Sequence, residues 1–165
     1  MQVILETNKG AITIELDEAG APKTVANFLQ YVDDKHYEGA IFHRVIPGFM
    51  AQGGGYDASY EKKPVRTPVE NEARISAKNL RGTVAMARTN DPHSATAQFF
   101  VNVSDNASLD HSAKNPQGFG YCVFGRVTSG MDVVDQIVAV RTGAQGTFTK
   151  DAPLEPIVIA SARRL

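Results

Sequence analysis

Many short strand-like segments, only two helical stripes and no internal repeat place this 165-residue sequence in the mainly β class, as a barrel or a sandwich. Period-2 alternation marks the strands, i, i+3, i+4 spacing marks the helices, and Gly and Pro punctuate the connections. Periodicity alone does not choose between barrel and sandwich.

The opening predicts a hairpin. Val3 and Leu5 alternate with polar neighbours, Asn8-Lys9-Gly10 supplies turn chemistry, and Ile12, Ile14 and Leu16 line one face opposite Thr13, Glu15 and Asp17. Pro22 suits a helix's first turn, where its missing N–H costs nothing. Beyond it Val25, Phe28, Leu29 and Val32 form an amphipathic stripe, and the helix ends before Gly39. Residues 41–52 read as two strands broken at Pro47-Gly48. Residues 56–79 are polar and aperiodic, with Pro64 and Pro68, and read as a long surface excursion of the kind that is often functional or mobile. Strand character returns at 83–87, 98–103 and 122–127. A second helix is expected from Met131 to about Val140, with Val134, Ile137 and Val138 on one side, and 156–159 as the closing strand. No interdomain linker interrupts the chain, so residues 1–165 are expected to form a single domain.

Hydrophobic residues make up 42% and charged residues 21%, ordinary values for a globular protein. The formal net charge of −1 argues against nucleic-acid or membrane binding driven by bulk charge, and Arg163-Arg164 reads as a solvated tail. The single cysteine, Cys122, lies in a strand-like run and reads as an inert, semi-buried thiol. The N-terminus shows neither a signal peptide nor a membrane-spanning run, so a cytoplasmic location is expected. Without a secretion signal, the sequons Asn102-Val103-Ser104 and Asn106-Ala107-Ser108 carry no weight.

Chemistry is concentrated in two runs. The first is Phe42-His43-Arg44-Val45-Ile46-Pro47-Gly48-Phe49-Met50-Ala51-Gln52-Gly53-Gly54-Gly55. Arginine is almost never fully buried unless paired, so among these apolar residues it is either strand-edge decoration or a cation held against an apolar pocket. The second, Ala85-Met86-Ala87-Arg88 followed by Ser94-Ala95-Thr96-Ala97-Gln98-Phe99-Phe100, repeats the combination of glutamine beside large apolar residues. His36, His43, His93 and His111 do not fall at metal-ligand spacing, and no metal or cofactor is assigned. Neither a G-x-S-x-G elbow nor a phosphate loop is present, and Gly53-Gly54-Gly55 reads as tight backbone packing beside a groove.

Together the two runs resemble the cyclophilin-type peptidyl-prolyl cis-trans isomerases, and most of all the small bacterial members. The resemblance extends from the first hairpin to the last strand. It implies an eight-stranded antiparallel β-barrel capped by two helices, with a binding groove on its outer wall. It also implies an enzyme that accelerates rotation about X–Pro bonds in proline-containing peptides and in unfolded or flexible protein segments. By that resemblance Arg44 and Gln52 are catalytic. Phe49, Met50, Phe100 and Leu109 form a pocket for the proline ring, and Gln52 and Gln98 hydrogen-bond the substrate backbone. Ala87 and Arg88 pair with the bound peptide as a short added strand. His43 reads equally as a hydrogen-bonded histidine beneath the site. Tyr121 stands where the family has a histidine at the pocket's far side. Ser108 stands where many members have tryptophan, which implies weak cyclosporin binding. The excursion 56–79 lacks the glycines of eukaryotic-type members. Nothing such as a heptad seam argues against a monomer. Two other readings share these residues: a proline-peptide binding module that does not need turnover, and a structural barrel scaffold.

Overall fold

Strands β1 (Gln2–Thr7) and β2 (Gly10–Leu16) form the expected hairpin, which turns at Asn8 and Lys9. Val3 faces Ile14 and Leu5 faces Ile12, and all four are fully buried on one side of the sheet. The computed structural model describes residues 1–165. Helix α1 (Pro22–Asp33) begins on its proline and buries Val25, Phe28, Leu29 and Val32. Its own N-cap residue, Ala21, has no side-chain acceptor. Glu72, far along the chain, supplies one: its carboxylate accepts from the Thr24 N–H at 2.7 Å and the Lys23 N–H at 3.2 Å. A carboxylate there satisfies orphan amide donors and suits the positive end of the helix.

Next come β3 (Arg44–Ile46) and β4 (Met50–Gly53), joined through the Pro47-Gly48 turn, then β5 (Thr83–Met86), β6 (Phe99–Asn102) and β7 (Val123–Ser129). Helix α2 (Met131–Val138) is followed by a small hairpin, β8 (Thr142–Gln145) and β9 (Phe148–Pro153), and by β10 (Ile159–Arg164). The excursion between β4 and β5 is tied down rather than loose. The Arg66 N–H donates to the Tyr31 hydroxyl at 2.7 Å, and Glu72 caps α1 as described.

Eight strands form one antiparallel sheet in the order β10-β1-β2-β7-β5-β6-β4-β3. Its two edges, β10 and β3, meet through the residues that precede them. Phe42 N–H donates to the Ile157 carbonyl at 3.0 Å, Ile159 N–H to Ala40 at 2.8 Å, and Gly39 N–H to Ile159 at 2.8 Å. These bonds curl the sheet into a barrel and leave little open edge for another chain to pair with.

Three expectations need correction. The closing strand is not 156–159: Ile157 and Val158 stitch the barrel edges, and the ladder with β1 starts at Ile159. Arg163 and Arg164 are strand residues rather than a tail. Backbone pairing with β1 does not need apolar side chains, and Arg164 holds Asp33 of α1 through Nε at 2.9 Å and Nη2 at 2.6 Å. The β8–β9 hairpin was not foreseen, because its polar, glycine-containing sequence shows no alternation. No helix is long and apolar enough to cross a membrane.

Apolar side chains gather on both faces of the central strands. The inner cluster joins Val84, Met86, Ala51, Phe99 and Val101 to the buried faces of α1 and α2. Met50, Ala85 and Phe100 form a second, separate cluster on the outer face. Within the inner cluster Phe28 is central, with ring centroids 5.0 Å from Phe124, 5.2 Å from Tyr37 and 5.7 Å from Phe99. Phe28→Ala should therefore cost about 3–5 kcal/mol of stability, read as a lowered midpoint in urea unfolding.

Candidate active site

Sheet register builds the site. Arg44 pairs with Gln52, Gln52 with Phe100 and Phe100 with Ala85, so one row crosses β3, β4, β6 and β5. Directly opposed residues share a face, so these side chains all stand on the outer wall. Met50 shares that face two residues from Gln52. The outer cluster thus becomes the floor of a cavity of about 310 Å³. Its lining includes His43, Arg44, Phe49, Met50, Gln52, Ala87, Arg88, Phe100, Leu109 and Tyr121, ten of the residues singled out from sequence. Gln98 lines an adjoining cavity that shares Gln52, Ala87 and Arg88 with the first.

Arg44 opens the edge strand and is exposed at the cavity rim. It takes part in none of the molecule's ion pairs. It therefore stands on a strand edge and lines the apolar cavity as well. Gln52 donates from Nε2 to Gln98 Oε1 at 2.9 Å, which links the two cavities. Gly54 adopts φ +92°, and a side chain at Gly55 would collide with the Gln98 amide. Gly55 thus lets the backbone pass close beside Gln98, while Gly54 does the same against the Tyr37 and Phe99 rings.

Ala87 N–H is already spent on the Gln98 carbonyl at 3.0 Å, whereas the Ala87 carbonyl and the Arg88 N–H take no backbone partner. They offer an acceptor and a donor to a strand laid alongside. The Arg88 guanidinium is fixed by Nε and Nη2 donating to the Gly120 carbonyl at 3.1 and 2.9 Å, and by Nη1 donating to Thr89 at 2.8 Å. It lies 4.5 Å from the Tyr121 ring centroid, and that ring meets Phe100 edge-on at 5.7 Å.

His43 is 3% exposed and packs against Phe148 at 5.0 Å and Tyr56 at 4.8 Å. It does not have the hydrogen bonds one reading of the sequence expected, since its Nδ1 has no partner. Burial, with the Arg44 charge next to it, lowers its pKa to about 4, so the ring is neutral at pH 7. Cys122 is buried, and burial raises its thiol pKa, as suits an inert cysteine.

Two features escaped the sequence reading. Phe148 lines the cavity from the unforeseen hairpin. Three asparagines set the position of the pocket wall. Asn79, 1% exposed, donates from Nδ2 to the carbonyls of Leu109 at 3.1 Å and Tyr121 at 3.3 Å. Asn102, fully buried, donates to Asn79 Oδ1 at 3.0 Å, and Asn106 donates to Asn102 Oδ1 at 2.8 Å and to the Phe49 carbonyl at 2.9 Å. The sequence signal was Asn102 inside Phe99-Phe100-Val101-Asn102-Val103. A buried amide in such a run needs partners, and here it has them.

The family described as cyclophilin type peptidyl-prolyl cis-trans isomerase/CLD matches residues 2–164. Peptidyl-prolyl cis-trans isomerase cyp18 of Streptomyces antibioticus is 56% identical over 163 residues, 99% of this chain and 98% of that protein. Peptidyl-prolyl cis-trans isomerase B of Escherichia coli (strain K12) is 52% identical over 159 residues, 96% of each. Among solved structures, cyclophilin AquaCyp293 from Hirschia baltica aligns with a TM-score of 0.76 at 27% identity, covering 98% of this chain and 73% of that one. A cyclophilin-type isomerase from Cryptosporidium parvum, solved in the presence of the dipeptide Ala-Pro, aligns with a TM-score of 0.77 at 24% identity and shares the fold. It covers 98% of this chain and 97% of its own.

Two outcomes follow from the geometry around the cavity. Gly55→Ala should turn the Gln98 side chain away from Gln52, visible in a crystal structure of the variant, while the fold is kept. The second concerns pH. As pH falls from 6.5 to about 4, an unfolded chain takes up a proton at His43 that the folded chain refuses. Stability therefore drops across that window, by roughly 3 kcal/mol in total at this residue. His43→Phe, which keeps the aromatic packing, should remove that component in urea unfolding measured as a function of pH. A difference between wild type and variant that is constant with pH would contradict it.

Proposed function

The chain belongs to the cyclophilin-type peptidyl-prolyl cis-trans isomerase family and is an isomerase of that kind; from that premise we propose that Arg44 is the residue that lowers the rotation barrier. Amide resonance sets that barrier at about 18–20 kcal/mol. Rotation breaks no bond. At the twisted transition state the prolyl nitrogen becomes pyramidal and regains a lone pair, and a fixed donor beside it stabilises that state more than the planar one. An acceleration of about 10⁶-fold corresponds to roughly 8 kcal/mol. Guanidinium suits the task because it is always charged and holds its donors in a rigid plane.

The observation that carries this reading is an arginine free of any ion pair at the rim of an apolar pocket. Phe49, Met50, Phe100 and Leu109 receive the proline ring, with Tyr121 on the far side, and an adaptable thioether among aromatic walls fits a compact apolar ring. Gln52 and Gln98 hold the substrate backbone on either side of the rotating bond, and Gln52 orients the reacting amide next to Arg44. The substrate runs as an added strand against the Ala87 carbonyl and the Arg88 N–H. His43, neutral and packed, is the floor under Arg44. The substrates are proline-containing peptides and flexible protein segments, handled by one domain spanning residues 1–165. With Ser108 beside Leu109, cyclosporin binds weakly.

Exchange NMR on a short Ala-Pro peptide with catalytic amounts of protein tests the assignment. Arg44→Ala should lose about 10²–10³-fold in kcat/KM while keeping its melting temperature, since an exposed, unpaired side chain holds no core together. Full activity in that variant would sink the mechanism.

A further inference from the structure

A second cavity, of about 340 Å³, opens beside the proline pocket and shares Gln52, Ala87 and Arg88 with it. A peptide seated in the first in extended form advances about 3.3 Å per residue, so side chains within a few residues of the proline reach the second. No aspartate or glutamate lines either cavity. Three cations do: Arg44, Lys62 and Arg88. None of them belongs to an ion pair, although the chain has 18 acidic residues against 17 basic ones.

Arg88 is held by two neutral carbonyls, which fix its position without cancelling its charge. Lys62 sits on a backbone bridge with Tyr56, which fixes its main chain beside the cavity, and its exposed ammonium has no hydrogen-bond partner. The neighbouring Lys63, by contrast, donates to the Glu38 carbonyl. Of the hydroxyls on this rim, those of Ser94 and Thr89 are already engaged: Ser94 Oγ donates to the Asp91 carbonyl at 2.7 Å and accepts from Thr89 N–H at 2.9 Å and from Thr89 Oγ1 at 2.8 Å. A side chain entering here meets two cations that belong to no ion pair, and no carboxylate lines the cavity.

We propose that Lys62 and Arg88 make the second cavity a subsite for a carboxylate, so that the enzyme favours substrates with an aspartate or glutamate a few residues from the proline. The proposal rests on the isomerase reading above. Exposed pairs are weak individually and screened by salt, so the expected preference is roughly fivefold at low ionic strength and small at about 1 M salt.

The test measures kcat/KM by exchange NMR on peptides that differ only in carrying Glu, Gln or Lys, two or three residues from the proline on either side. At one of these positions the wild type should rank Glu above Gln above Lys, and Lys62→Glu should reverse the Glu and Lys peptides there. Lys62→Gln should bring the two together. Equal turnover of all peptides, or a ranking indifferent to both Lys62 variants, would overturn the subsite and leave the isomerase standing. A wild type that accelerates none of the peptides, the neutral Gln peptide included, would overturn the isomerase reading and the subsite with it.

Discussion

Everything in this molecule depends on strands β4, β6 and β5 being apolar on both faces. A strand presents alternate side chains to opposite sides, so a two-sided apolar strand has to find two apolar environments. One is the barrel interior, where Ala51, Phe99 and Val101 join the helices. The other is the outer wall, where Met50, Ala85 and Phe100 have only a partial cover of Phe49, Leu109, Tyr121 and their neighbours. The incomplete cover is the pocket. The barrel cannot withdraw this face from solvent, because hydrogen bonds to flanking strands fix the register that points Phe100 outward and Phe99 inward.

Polar groups around the pocket divide into those that are satisfied and those left free. Asn79, Asn102 and Asn106 give up their amide donors within the protein, and so hold Phe49, Leu109 and Tyr121 in fixed relation. Arg44 is left free. His43 lies between these cases: Phe148 stacks on its ring and Tyr56 meets it edge-on, its Nδ1 is orphaned and its charge is suppressed. A buried unsatisfied nitrogen costs free energy. Keeping the ring neutral limits that cost and avoids a second positive charge behind Arg44.

The sequence made the fold class, the first hairpin, both helices and ten of the cavity's lining residues legible, because apolar periodicity and the two long motifs carry them. Where burial was not the organising force it failed. Residues Thr142–Gln145 and Phe148–Pro153 pair through backbone bonds with polar side chains outward, so Phe148 had no pattern to announce it. Arg163 and Arg164 read as solvated because they are, on one side, while their backbones complete the ladder. The asparagine network was hidden differently. Each residue alone is an ordinary polar side chain, and only tertiary contact over long separations brings Asn79 to Leu109 and Tyr121. The two sequons that set Asn102 and Asn106 aside were a distraction from the real clue, an amide in the middle of an apolar strand.

The barrel is closed by contacts between residues far apart in the chain. Leu5 pairs with Ala162 in the β1–β10 ladder, and Phe42 with Ile157 where the sheet's two edges meet. Contacts of such large sequence separation form only after most of the loop-closure entropy has been overcome, and folds rich in them assemble slowly. During synthesis, then, the opening hairpin waits with one edge bare until the last strand leaves the ribosome. Strands β4, β6 and β5 will already be made, but not yet curled. The isomerase is in this respect itself a late folder: the pairings that bring its first and last strands together, and with them the curl of the whole sheet, belong among the final events of its assembly.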